Sequence, residues 1–265
     1  LDLCAGHGEF AEILRDRFGM RVTCADYAEP HLARQRELGF ETLKVDLDAQ
    51  EAEVDAQARA QAGRFDLVVT LATIEHVFDS DNFLRFCHTV LKPGGWLVVN
   101  TPNIGFLGYR LYSMLMGGRP FGDGHHVRFW DYRFLRTNLF LNGFGVVQDA
   151  RGFYGLPTDP LTRALRGRSF WGRVLAWPFH LCRFTRFLPG GRNWSCDELT
   201  VLAQREDVPP VGFALFRAQQ ALDRLRGQPE AAVVRERFAE ALRRGWLGEH
   251  LMLSNWVREL TRPSK

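Results

Sequence analysis

The sequence predicts an α/β fold built on a doubly wound, mostly parallel sheet. Two observations carry that expectation. Apolar strand-like runs alternate with helix-periodic stretches through the first 150 residues, the pattern of consecutive βαβ units. The chain also opens on LDLCAGHGEF, an apolar strand end (Leu1, Leu3) that runs through a glycine-spaced turn (Gly6, Gly8) into a helix. That junction presents free backbone N–H groups to an anionic ligand, and its glycines let the backbone approach closely. No Met stands at the start, so the first strand is expected to be the tail of a longer one.

The elements follow in order. Phe10, Ile13, Leu14 and Phe18 share one face of a helix over Glu9–Phe18. Strands are expected at Arg21–Ala25, Thr42–Val45, Phe65–Thr70 and Trp96–Asn100, with helices over Pro30–Leu38, Ala49–Ala62 and Ser80–Leu91 between them. Asp79 and Asp81 read as N-capping residues of the last of these helices. Lys92-Pro93-Gly94-Gly95 ends that helix and turns into the next strand. A further helix over Asp131–Leu141 stops at Asn142-Gly143, and Gly145–Asp149 and Glu198–Gln204 complete a seven-stranded sheet. If both join it, residues 150–197 are an insertion before the last strand. Val208-Pro209-Pro210 reads as a linker to a helical C-terminal extension over 208–265, with helices around Ala214–Leu225, Val233–Leu242 and Leu251–Leu260. The expected domain therefore covers 1–207.

Composition narrows the classes. Hydrophobic and charged contents of 46% and 25% are those of an ordinary globular protein. Five cysteines without a C-x-x-C pair suggest a reduced, cytoplasmic chain. No apolar run approaches the ~20 residues of a membrane-spanning helix. The net charge of +3 is uneven: between Asp159 and Asp197 seven arginines stand without one acidic residue, so the remainder is net acidic. In residues 160–196 these arginines interleave with Phe170, Trp171, Trp177, Phe179, Phe184, Phe187 and Trp194. The composition fits a substrate lid with peripheral membrane contact, a pocket for an acidic substrate, or packing against the C-terminal helices. A short patch on an otherwise acidic chain does not suggest nucleic-acid binding.

The opening loop alone fits two cofactors. Gly6-x-Gly8-x-x-Ala11 matches a dinucleotide fingerprint, and Asp26, at the end of the second strand, would bind a ribose diol in either case. Asp2 before the loop, Asp46 in VDLD, and FDLVVTLATIEHV followed by a helix and LKPGGWLVVNTPN favour S-adenosylmethionine. Over roughly 1–150 and 198–204 the chain resembles the class I S-adenosylmethionine-dependent methyltransferases, with their Rossmann-like sheet. It is most similar to the small-molecule group of ubiquinone-pathway O-methyltransferases and MetW-type proteins. Pro102-Asn103, a helix containing Arg110, Gly118-Arg119-Pro120 and His126-Val127-Arg128-Phe129 follow the MetW-type pattern.

The resemblance implies roles. Asp2, Gly6 and Gly8 would hold the methionine part of the cofactor, Asp26 the ribose, and Asp46 and Leu47 the adenine. Leu71 would lie near the sulfonium. The family's first glycine is Cys4 here, which narrows that approach. For transfer to oxygen a base must take the hydroxyl proton. His76, after the fourth strand, and His126, in the loop after the fifth, are the catalytic candidates beside His125. Glu75, Asn103 and Arg128 are the candidates on the substrate side. Glu75-His76 reads equally as a turn-orienting pair, and His126 with Arg128 as a latch onto the sheet. Some ubiquinone-pathway enzymes hold a divalent metal on E-x-x-E-H; here the first Glu is Ala72, and no metal is implied. The expected activity is methyl transfer to a small molecule, at oxygen, with a lipid-linked or glycan-type substrate. A regulatory binding module acting through a protein partner is the alternative, and an NAD-dependent oxidoreductase a third reading.

Overall fold

A computed structural model describes residues 1–117, 125–150, 196–210, 212 and 228–244. Its strands are β1 (Asp2–Leu3), β2 (Thr23–Asp26), β3 (Glu41–Lys44), β4 (Phe65–Leu71), β5 (Leu91–Pro102), β6 (Phe144–Ala150) and β7 (Glu198–Arg205). They form one sheet in the order β3-β2-β1-β4-β5-β7-β6. The strands from β3 to β5 run parallel, and β7 is antiparallel to both β5 and β6. The expected seven-stranded, mostly parallel sheet is therefore the observed one, and the chain leaves it between β6 and β7. Residues 151–195 lie outside the described residues, and so does nearly all of the basic aromatic segment 160–196.

The helices are α1 (Glu9–Phe18), α2 (Glu29–Glu37), α3 (Glu51–Ala60), α4 (Ser80–Val90), α5 (Leu107–Met116), α6 (Tyr132–Leu141) and α7 (Glu230–Arg243). Their ends follow local chemistry. Gly8 and Gly19 bracket α1 in left-handed conformations at φ +84° and +63°. The Asp79 carboxylate accepts the Asp81 and Asn82 N–H groups at the start of α4, while Asp81 itself lies within that helix and accepts from Asn142 Nδ2. Asp131 caps α6 by accepting from Phe134 N–H at 2.9 Å. The helix α5, expected only from the resemblance, carries Arg110. It leaves Met114 and Leu115 more than 70% exposed.

Most boundaries fall within two residues of expectation; the largest difference is at β5. Pairing along β5 begins at Leu91, not Trp96: Phe65 faces Leu91 and Leu67 faces Trp96. The Lys92–Gly95 turn is absorbed as an irregularity inside the strand, a bulge in place of a stop. At Gly95 an added Cβ would lie 2.9 Å from the Lys92 carbonyl oxygen, so the irregularity needs that glycine.

The sheet is buried on both faces, as parallel strands are. Val68 belongs to the cluster with Leu3, Phe83, Phe86 and Leu135, whereas Val69 packs with Ala11, Leu14 and Cys24 under α1. The helix α7, the middle one of the three expected C-terminal helices, meets α6. There Arg237 donates to the Phe140 carbonyl, lies over its ring at 4.3 Å, and pairs with Glu206. The other two helices expected from the sequence fall outside the described residues.

Candidate active site

In open α/β sheets ligands bind outside the carboxyl ends of the strands. A cavity of about 640 Å³ lies there. On one side it is lined by the loop after β1 (Cys4, Gly6), the end of β2 (Asp26, Tyr27) and the segment Val45–Asp48; on the other by Ala72, Thr73, His76, Val77 and His125.

Asp26 organises the first side. It is 4% exposed. Its Oδ2 accepts the Gly6 N–H at 3.0 Å and its Oδ1 the Ala28 N–H at 3.0 Å. His31 Nδ1 lies 3.2 Å from Oδ1. Gln35, buried in α2, donates to the Gly6 carbonyl at 2.7 Å. The glycine loop is thus clamped from β2 and α2 before any ligand arrives. Gly6 sits at φ +54° with nothing within 4 Å of a Cβ placed there, so its open side faces the cavity. A loop with clear space above it and a carboxylate beside it fits a nucleoside carrying a charged tail. The fit extends to Asp46 and Leu47, where Asp46 Oδ1 accepts the Asp48 N–H at 3.0 Å and shapes the turn after β3.

Three expected cofactor residues stand elsewhere. Asp2 is 3% exposed and turns inward, where its carboxylate accepts the Ala11 N–H in the first turn of α1. It braces the loop by capping a helix from a neighbouring strand. Gly8 is the N-cap of α1, and an added Cβ there would meet Leu38 and Gln35 at 3.4 and 3.5 Å. Leu71 packs on the α1 face of the sheet, because successive strand residues point to opposite faces; Ala72 and Thr73 line the cavity in its place. Tyr27, 67% exposed, and His31 went unassigned in the sequence. Their only signal was adjacency to Asp26.

Cys4 adopts φ +59°, a left-handed conformation that costs a non-glycine residue roughly 1–2 kcal/mol. Burial pushes its thiol up to about 12, against a hydrogen bond with Thr73 that lowers it. At neutral pH it is an inert thiol. Ala72 is also left-handed, at φ +50°.

The second side holds a cluster that sequence spacing could not show. Glu75, His76 and His126 bring ligand-capable atoms within 4.8 Å of one another. Glu75 is 2% exposed; Thr101 donates to its Oε2 at 2.9 Å, and its Oε1 has no hydrogen-bond partner. Burial raises its pKa. The Val127 and Arg128 N–H groups both donate to the Glu75 carbonyl, at 3.0 and 3.1 Å, and the Trp130 indole donates to the Ile74 carbonyl at 3.3 Å. These bonds fix the loop that carries His126. His76 Nδ1 lies 3.0 Å from the His125 carbonyl, and since a carbonyl only accepts, Nδ1–H is the donor there. The two imidazole centroids are 4.7 Å apart.

Arg128 donates to the Phe78 carbonyl, in the segment between β4 and α4 and not in the sheet. Asn103 is fully buried: its Nδ2 donates to the Cys196 carbonyl at 2.7 Å and its Oδ1 accepts the Gly105 N–H at 2.9 Å. It ties β5 to the approach of β7 and is absent from the cavity wall, a correction to its expected substrate role.

Asp2 carries a pH signature. Burial raises its pKa from 3.8 to about 6, so the folded chain holds this proton more tightly than the unfolded one. Its contribution is complete below about pH 4 and lost as pH rises through 6. In Asp2→Asn that slope should vanish. The variant's stability relative to wild type should then rise by about 2 kcal/mol between pH 4 and pH 7, read by urea melts. Parallel profiles would refute the assignment.

The sheet order, the glycine loop at the carboxyl edge and the acidic residue at the end of β2 define a class I S-adenosylmethionine-dependent methyltransferase domain. The family model described as a methyltransferase domain matches residues 1–149, and the chain belongs to that family. Among curated proteins it is 37% identical over 103 residues to the ubiquinone biosynthesis O-methyltransferase of Albidiferax ferrireducens, covering 39% of this chain and 40% of that protein. It is 38% identical over 103 residues to the Azotobacter vinelandii protein of the same name, covering 39% and 44%. The chain thus spans about two-fifths of the length of these relatives. Solved structures share the fold. A SAM-dependent methyltransferase from Thermotoga maritima has TM-score 0.51 at 14% identity, covering 77% of this chain and 80% of that one. A chain of the complex containing the Haloferax volcanii Trm112 methyltransferase activator has TM-score 0.52 at 14% identity, covering 77% and 81%.

Proposed function

We propose that this chain transfers a methyl group from S-adenosylmethionine to a hydroxyl of a small molecule. One observation carries the reading: a single cavity joins the Gly6–Asp26–Asp46 wall to His76 and His125. The first wall suits an adenosine and its charged tail. The second places a base where an acceptor would meet the methyl group. Bound there, the cofactor supplies an electrophilic methyl carbon, and the protein's task is in-line alignment of the acceptor oxygen. Gly6, Asp26, Asp46 and Leu47 are the residues we assign to cofactor binding; Asp2 and Gly8 support them from behind. His76 Nε2 takes the hydroxyl proton as the oxygen–methyl bond forms and the carbon–sulfur bond breaks.

The ubiquinone-pathway names of the relatives support an oxygen acceptor on an apolar small molecule. Exposed Phe78 after β4, and Met114 and Leu115 on the helix after β5, leave both segments apolar at this edge of the sheet. They suit a lipid-linked acceptor better than a glycan. Peripheral membrane contact through 160–196 and a cytoplasmic location rest on composition. Among the described residues no helix is long and apolar enough to cross a membrane. A domain over 1–207 with a helical extension over 208–265 remains our division of the chain. A protein partner draws support from the fold likeness to a chain solved with a methyltransferase activator.

Calorimetry with S-adenosylhomocysteine and with NAD, followed by methyl release on a panel of phenolic and alcoholic lipids, separates the readings. Heat with S-adenosylhomocysteine and turnover on the panel are expected. Binding without turnover would favour the regulatory module, and heat with NAD alone would defeat the methyltransferase reading.

A further inference from the structure

Resting on the methyltransferase reading of this cavity, we infer that Phe78 binds the apolar part of the acceptor, and that Asp48 and Arg128 are positioning residues that hold it at the cavity rim. Neither Phe78 nor Asp48 stands out in the sequence.

Three loops meet at the backbone of Phe78, which lies in the segment between β4 and α4. Its N–H donates at 2.7 Å to Asp48 Oδ1, in the turn after β3. Its carbonyl accepts from Arg128, in the loop after β5. Each backbone group is thus held by a charged side chain from a different loop, and hydrogen bonds to charged groups are the stronger kind. The next residue, Asp79, is fixed as the N-cap of α4. The backbone at Phe78 is therefore held from both sides and by its own helix.

The ring finds little to pack on within the protein. It is 69% exposed. The residue before an N-cap commonly packs against the fourth residue of its helix, here Phe83. Phe83 is fully buried, so a ring left mostly in water adds little to such a staple. Two neighbours place the ring at the cavity, since Val77 and Asp48 both line its wall. On the cofactor side Tyr27 and Leu47 already line that wall, which leaves Phe78 for the acceptor. An exposed aromatic ring at the mouth of a cavity gains by covering apolar ligand surface, and a backbone fixed beforehand reduces the ordering cost of doing so. Asp48 stands on the cofactor side and Arg128 on the loop that carries His125, so the bracket joins the two walls.

The test uses 2-naphthol, an apolar hydroxy compound whose fluorescence reports binding, titrated into the full chain saturated with S-adenosylhomocysteine. Phe78→Ala should weaken 2-naphthol at least about tenfold and Phe78→Tyr should restore it. In both variants S-adenosylhomocysteine affinity should stay within about threefold of wild type, which verifies their fold. Arg128→Met and Asp48→Ala should each weaken 2-naphthol about threefold or more. Neither should add a further loss in the Phe78→Ala background, a result that a merely structural role would not give. Absence of 2-naphthol binding in wild type, or equal affinity in Phe78→Ala, would overturn the assignment of the ring. A loss of S-adenosylhomocysteine affinity in Phe78→Ala would also overturn it, by moving the ring to the cofactor. No loss in Arg128→Met and Asp48→Ala, or an additive one in the double variants, would overturn the bracket. If 2-naphthol fails while S-adenosylhomocysteine binds, the methyltransferase reading stands. Failure of S-adenosylhomocysteine in wild type would strike that reading and this inference with it.

Discussion

Asp26→Ala is expected to lower S-adenosylhomocysteine affinity by about a hundredfold or more. The carboxylate has two duties. Within the protein it accepts the Gly6 and Ala28 N–H groups, and toward the ligand it faces the cavity where a ribose would lie. Hydrogen bonds to a charged group contribute about 1.5–3 kcal/mol each, so losing a ribose contact together with the clamp on the loop corresponds to about 3 kcal/mol. The same substitution leaves two backbone donors unsatisfied and should reduce stability by about 1–2 kcal/mol. Asp26→Asn helps to separate the effects, since its side-chain oxygen can still accept one of the N–H groups. Calorimetry on folded material decides. An affinity within about threefold of wild type would remove Asp26 from the binding site.

Gly6→Val should nearly abolish cofactor binding in a chain that still folds. At φ +54° a β-branched residue is strained, which costs about 1–2 kcal/mol. No protein atom lies within 4 Å of the added Cβ, so the protein itself is not overpacked. The valine enters the space we assign to the ligand, and affinity should fall at least about a hundredfold. Gly8→Ala is the contrasting case. Its Cβ meets Leu38 and Gln35 side chains behind the loop, so its effect should fall mainly on stability. Thermal melts and calorimetry on the pair distinguish the two glycines. Equal affinity in Gly6→Val and wild type would mean that the ligand does not pass over this loop.

Much of the fold was legible because its signals are local. Helix α1 could be bounded at Glu9 and Phe18 from its apolar face and its flanking glycines. The Asp79 cap could be read from its place before an apolar periodic run. Asp26 was legible as a neighbour of the glycine loop because it ends the second strand shortly after that loop, and the fold places the strand end against it. Residues 92–95 were misread as a turn outside the strand, since Pro and Gly mark bulges as readily as stops.

The sequence by itself determined the order of strands and helices, the loop at Cys4–Gly8 and the acidic residues near it. Those features are set by periodicity and turn chemistry within a few residues. Only the tertiary structure decided where the side chains go. Strand parity sends Leu71 to the α1 face and leaves Ala72 and Thr73 on the cavity. Packing turns Asp2 inward onto the Ala11 N–H. Pairing of β5 with β7 draws Asn103 to Cys196 across the insertion. Two hydrogen bonds to one carbonyl bring His126 beside Glu75 and His76. The last two meetings join residues far apart in the chain, and no local preference encodes them; they exist because backbone polar groups must find partners once the sheet closes around them.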